Sequence, residues 1–205
     1  MADARRIAAA AWAKLEDRIR LAEPRILERF PAGASPSALD KVERQLGAKL
    51  PPLVREIYRI HDGVGMPAFV KKGRYREERH SYFLCLADAL DQWRVWCEGL
   101  SGGFFKDFKV ENAFGPVRAD WWNPLWLPIT TDGGGNNDCV DLDPAPRGRV
   151  GQVIQVWHDD HQREVLAPDL ATYLLDRVEE DEWAAAFRAE QAAKAEPRRH
   201  ARRHL

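Results

Sequence analysis

Reactive side chains are scarce in this chain: its 205 residues include three cysteines, two methionines and four serines. Cys85, Cys97 and Cys139 are odd in number and lack CxxC spacing, so neither a disulfide framework nor a zinc ribbon is indicated, and a reducing cytoplasm is the expected compartment. None of Ser35, Ser37, Ser81 and Ser101 lies in GxSxG, which removes the nucleophile elbow of the hydrolases. GxxxxGK and GxGxxG are missing, and the GGG at 133–135 is not followed by a helix that would offer its N-terminus to a phosphate. No apolar run approaches the ~18 residues of a membrane span. Charges flank the alanines of the first 20 residues, so neither a membrane helix nor a signal peptide is expected. A formal net charge of −1 argues against a broad basic face for nucleic acid.

What remains is an ordinary globular composition, 45% hydrophobic and 31% charged. Residues 4–30 read as a long helix carrying Ile7, Trp12, Leu15 and Ile19 at helical spacing, broken or kinked by Pro24. Ser35 is placed to cap a second helix with Pro36 in its first turn and Gly47 at its end. A third helix starts near Pro51 and Pro52 and is ended by Gly63. Residues 81–86 read as a strand, 87–100 as a helix, and 168–187 as a closing helix. Between them, 65–79 is a weakly patterned basic segment, and 99–124 is an aromatic-rich insertion without period. This order of elements gives an α+β fold with a largely antiparallel central sheet flanked by N- and C-terminal helices. The expected organisation is one domain over 1–187 and a basic, flexible tail over 188–205.

The segment from Trp126 to Asp160 concentrates the acids. Residues 125–130, 139–142 and 150–157 read as strands, and TDGGGNND between the first two holds the glycines and asparagines of a tight reversal. Asp141 and Asp143 stand two apart, a spacing that would put both carboxylates on one face for a divalent cation, with His158 nearby. The EF-hand pattern is absent, however, so hairpin and turn chemistry is the simpler reading. HDDH at 158–161 likewise reads as a polar reversal, His61 as a helix-end residue bonding a carbonyl, and Cys139 as a buried small hydrophobe. The expected contact residues are the outward-facing Asp132 and Asp138, with Asn136 and Asn137 between them. Trp121 and Trp122 are adjacent in the insertion, where either one of the two lies on the surface as a binding anchor or both pack under the insertion. Trp12, Trp93, Trp96, Trp157 and Trp183 are expected in the core.

A combination of short motifs in order resembles a known family. A helix ends FPAGAS, and Glu43-x-x-Leu46-Gly47-x-x-Leu50-Pro51 follows, then IYRIHDG to Gly63, WLPI, the glycine-rich acidic hairpin, CVDLDP and GxxGQV. Together, over about 15–178, these resemble the SUKH superfamily and within it the SMI/KNR cell-wall-assembly-regulator domain. The resemblance implies an α+β domain that binds other proteins and has no enzymatic activity, cofactor or metal. Bacterial members are immunity proteins that neutralise a cognate toxin, and fungal members are regulatory scaffolds. The alanine- and arginine-rich ARRIAAAAWAKL favours a bacterial source, so a cognate toxin, among them those attacking nucleic acid, is the expected partner. An acidic hairpin would plug a basic toxin cleft by electrostatic complementarity. The alternatives are a regulatory scaffold without a toxin, and a metal- or ligand-binding enzyme using Asp141, Asp143 and His158.

Overall fold

A computed structural model describes residues 2–22, 24–71 and 79–177. The basic stretch 72–78, the far half of the expected closing helix with Trp183, and the tail lie outside the described residues. Helix α1 runs Ala2–Ala22, and Pro24 starts a separate 3-10 turn at Pro24–Arg29, since proline supplies no N–H to continue the ladder. Helix α2 (Pro36–Leu46) begins as expected: the Ser35 hydroxyl accepts from Ala38 N at 3.2 Å, a cap worth about 1 kcal/mol. Helix α3 is Pro52–Ile60 and α4 is Leu86–Ser101. Helix α5 starts at Leu170 and is described to Arg177.

The strands are β1 (Val64–Lys71), β2 (Arg79–Phe83), β3 (Asn112–Phe114), β4 (Trp126–Pro128), β5 (Thr130–Thr131), β6 (Asn137–Asp141), β7 (Gln152–Val156) and β8 (Gln162–Ala167). They form a three-stranded sheet in the order β1-β2-β5 and a five-stranded sheet in the order β3-β8-β7-β6-β4. Every described pairing is antiparallel except β3 with β8, so the α+β, largely antiparallel reading holds. β1, β3 and β8 were not anticipated from the sequence.

Ile129 links the two sheets through its backbone. Ile129, between β4 and β5, donates its backbone N–H to Asp138 O at 2.8 Å and accepts Leu84 N at 2.9 Å. Its donor therefore serves the large sheet and its acceptor the small one.

Both faces of the large sheet are covered. Val140 and Val153 point into a core shared with Trp12, Leu15 and Ile19 of α1, Val54, Ile57 and Tyr58 of α3, and Tyr173 and Leu174 of α5. Cys139, Ile154 and Val156 point the other way, toward Trp96, Trp121, Trp122 and Trp126. The strands β6 and β7 are consequently buried at all five positions each, a pattern that polar side chains survive only if hydrogen-bonded.

The loop 144–149 closes β6 onto β7. Gly148 N donates to Ala145 O at 2.8 Å, Pro146 lies at the second position of the turn, and Arg147 at the third has φ 76°. Type II turns reserve that third position for glycine, and an arginine there costs on the order of 1 kcal/mol.

Candidate functional site

The acidic hairpin is turned inward. Asp132 Oδ1 accepts Gly134 N at 2.8 Å and Asn136 N at 3.1 Å, and its Oδ2 accepts Asn136 Nδ2 at 2.7 Å. This closes the reversal, with Gly133 and Gly135 at φ 76° and 102° as the glycine spacing predicts. Asn136 Oδ1 in turn accepts His158 N at 3.3 Å, which ties the hairpin to the turn after β7. Asn137 accepts Trp96 Nε1 at 2.7 Å and donates to Thr130 O at 2.7 Å. Asp138 accepts the Tyr173 hydroxyl of α5.

The expected exposure of this segment is corrected by these bonds. Asn136, Asn137 and Asp138 are buried, at 1%, 0% and 0% exposure, rather than presented outward. Helix α5 covers the face on which Asp138 lies. Only Asp132 stays partly accessible, and its oxygens are occupied by its own turn.

Trp121 and Trp122 are both buried, so both pack under the insertion and neither is a surface anchor. Trp122 stacks on Trp96 with centroids 5.0 Å apart and planes 15° apart. Trp121 lies under Phe108 and over Arg163, whose guanidinium is 5.0 Å from the ring and donates to Trp121 O at 2.6 Å. Arg163 is itself fully buried, and burial pushes its pKa down to about 10. Adjacent tryptophans are accommodated because the insertion wraps the sheet, Trp122 facing α4 and Trp121 facing β8.

The carboxylates two apart do not share a site either. Asp141 is buried, accepting Trp126 Nε1 at 3.1 Å, Asp143 N at 2.9 Å and Gln152 Nε2 at 2.8 Å. Burial raises its pKa against the pull of those bonds. Asp143 lies just past the strand end and is held by Asn123 and by Arg118 at 2.8 Å, which lower its pKa. Among the described residues no His, Cys, Asp and Glu side chains gather in a group of three or more around a common point. Cys139 is buried as expected.

The motif residues build two corners instead. Glu43, buried at the end of α2, accepts Leu50 N at 3.2 Å and Lys49 Nζ at 2.6 Å and is paired with Arg55 of α3, so one carboxylate fixes the turn between the helices. At the other corner, His61 bonds Pro31 O at 2.8 Å through Nδ1 and lies 3.0 Å from Glu16 through Nε2, reaching a loop carbonyl rather than the end of its own helix. Asp62 Oδ1 accepts Leu86 N at 2.8 Å, placing a carboxylate at the start of α4 where the helix favours negative charge. Gly63 has φ 78°, and a Cβ there would lie 2.4 Å from Cys85 N.

That second corner opens a cleft of about 560 Å³ beside the hairpin. Phe83, Leu84 and Pro31 give it an apolar lining, Tyr82 and Thr131 border it, and Asp62, Asp88 and Arg29 supply charge. Burial, with Asp88 adding to it, raises the Asp62 pKa despite the Leu86 bond. Tyr82 remains 39% exposed on the rim. None of these residues was singled out from the sequence. The one legible signal was Asp62 in IYRIHDG, read only as part of a helix end.

A family model described as the SMI1/KNR4 family (SUKH-1) matches residues 33–176, from just before the α2 cap into α5. The chain is 25% identical over 203 residues to a glucan synthesis regulatory protein of Neurospora crassa, covering 81% of this chain and 37% of that protein. It is 29% identical over 154 residues to the cell wall biosynthesis/cell cycle regulator smi1 of Schizosaccharomyces pombe, covering 69% of this chain and 30% of that one. A cell wall assembly regulator SMI1 of Saccharomyces cerevisiae is 39% identical over 64 residues, 31% of this chain and 12% of the relative. The chain therefore spans between 12% and 37% of the length of these curated relatives. The first corner, the hairpin and the sheets lie within the matched residues, as does the second corner apart from Glu16 and Pro31, and the chain belongs to the SMI1/KNR4 family (SUKH-1).

Proposed function

We propose that this chain is a non-catalytic, protein-binding module of a regulatory scaffold, and that a partner segment enters the cleft between Asp62, Asp88 and Tyr82. The observation that carries this reading is the contrast between the two acidic regions. The hairpin carboxylates are consumed by internal bonds, whereas the cleft joins two carboxylates to an apolar lining and an accessible tyrosine. Such a surface suits an apolar side chain followed by a basic one, with the hydrophobic part supplying affinity and the charge pair orientation. Relatives named as regulators of glucan synthesis and of cell wall biosynthesis support a regulatory rather than a catalytic role.

Neutralisation of a cognate toxin is the second reading, favoured by the alanine- and arginine-rich N-terminus. It has to use the cleft or another surface, because Asp138 and Asp141 are buried and offer no acidic plug.

The test is quantitative affinity capture with the wild type, with Asp88→Arg, and with Arg94→Glu as a control elsewhere on α4. Partners recovered by the wild type and the control but lost by Asp88→Arg, at unchanged melting temperature, are expected. Recovery of the same proteins by all three would overturn the cleft. Rescue of cells expressing a toxin encoded beside this chain's gene, with no partner captured in its absence, would replace the scaffold reading by the immunity one.

A further inference from the structure

A second cavity, of about 320 Å³, lies at the opposite end of β7 and has different chemistry. Its lining is apolar where Pro116, Val165 and Pro168 meet, and cationic where Arg147 and Arg149 enter from the loop 144–149. The loop is built rather than loose. Gln152, 2% exposed, accepts Arg149 N at 3.1 Å and donates to Pro116 O at 3.0 Å and to the buried Asp141 at 2.8 Å.

The nearby acids are engaged elsewhere: Asp143 with Arg118, Asp141 with Trp126 and Gln152, and Asp169 with Thr172 N of α5. Among the described residues no carboxylate lies within ion-pair distance of either guanidinium. Arg147 also occupies the turn position at φ 76° that favours glycine, so the loop keeps an arginine where a glycine would sit with less strain.

The β3–β8 ladder stops beside this cavity. Strand β3 ends with Phe114 opposite Glu164, and Val165 to Ala167 then pair only with β7 among the described residues. An extended chain can lie along such an edge.

We propose that this cavity docks an extended, phosphorylated segment of a partner protein, with the phosphoryl group between Arg147 and Arg149 and a neighbouring apolar side chain against Pro116, Val165 and Pro168. Two guanidiniums with no carboxylate partner among the described residues match a dianion, and the planar forks of arginine suit phosphate oxygens. The site is distinct from the acidic cleft, and its success or failure is read separately.

The probe is phenyl phosphate, a dianion on an apolar ring, titrated into the full-length 15N-labelled chain. Saturable amide shifts are expected at 147–151 and 165–167, with little change near Asp62. Arg147→Gly suits the turn and so should not unfold the chain; combined with Arg149→Gln it is expected to weaken binding about tenfold or more. Inorganic phosphate, lacking the ring, should bind several-fold more weakly than phenyl phosphate. Degenerate five-residue phosphothreonine peptides should bind more tightly than phenyl phosphate, and their unphosphorylated forms should not compete. The proposal is overturned by the absence of saturable shifts up to roughly 10 mM, by equal binding to the double variant, by inorganic phosphate binding as tightly as phenyl phosphate, or by a short RNA displacing the probe more strongly than the phosphopeptides do.

Discussion

Gln152 on β7 donates its side-chain amide to Asp141 on β6 at 2.8 Å, at a position where the two strands are in register. Trp126 Nε1 and Asp143 N complete the set of donors around the buried carboxylate.

Replacing Asp141 with alanine strands three donors at once, and a loss of about 3 kcal/mol is expected at neutral pH, read as a lower urea midpoint. The pH dependence has a definite sign. Burial holds the folded pKa of Asp141 above its unfolded value, so in the window between the two the folded state keeps a proton that the unfolded state releases. The residue's contribution to stability is thus largest below the unfolded pKa and falls as pH rises through the folded one. The gap between wild type and Asp141→Ala should widen as pH is lowered toward about 4. A gap that narrows would contradict the assignment.

Glu43 should behave in the opposite sense. Desolvation pushes its pKa up, but the bonds from Lys49, Arg55 and Leu50 N outweigh it and the pKa is lowered. Its contribution is fully present above the unfolded carboxylate value and is lost as pH falls through the folded one. Glu43→Gln should cost about 2 kcal/mol at neutral pH and progressively less in acid, as followed by chemical denaturation across pH. A cost independent of pH would show that the side chain's shape, not its charge, holds the corner.

Gly63→Ala tests the second corner. The added Cβ meets the backbone of Leu84 and Cys85 at 2.4–2.8 Å from a positive φ, and backbone cannot move aside as a flexible side chain would. A loss of about 3 kcal/mol or more is expected, seen as a lower melting temperature, whereas Gly133→Ala in the open hairpin should cost about 1 kcal/mol from its φ alone. Similar losses at both sites would refute the close-approach argument.

Trp122→Ala removes a buried ring stacked on Trp96 and should destabilise the chain by about 3–5 kcal/mol. The complementary measurement is acrylamide quenching: with Trp121, Trp122 and Trp126 all buried, most indole emission of the native protein should resist the quencher. Ready quenching of the bulk of the emission would mean that the insertion does not cover the sheet.

The helices were readable because their ends carry local chemistry: Ser35 caps, Pro36 starts and Gly47 stops a helix with groups a few residues apart. The hairpin was readable for the same reason, its glycines and Asp132 acting within five residues. Strands β1, β3 and β8 lacked such punctuation. β1 contains Gly65 and Pro67 and is irregular in register, β3 has three residues, and β8 buries Arg163 at a position where an apolar residue marks a strand. The exposure of Asp138 failed for another reason. A period of two says which side chains share a face, but whether that face meets water depends on Tyr173 of α5, 35 residues away. The cleft is less legible still, since Arg29, Asp62, Asp88 and Thr131 come from four separate elements and loops, and no local pattern links them.

Ile129 carries a consequence for how the molecule transmits force. Its amide and its carbonyl belong to different sheets, and the residues on either side of it form a wall of the cleft at Thr131 and the underside of the aromatic cover at Trp126. If the cleft is filled as proposed, a displacement of Thr131 would act on the same short run of chain that seats Trp126, with no loop between them. The run from Trp126 to Thr131 therefore joins one wall of the cleft to a buried indole without an intervening loop.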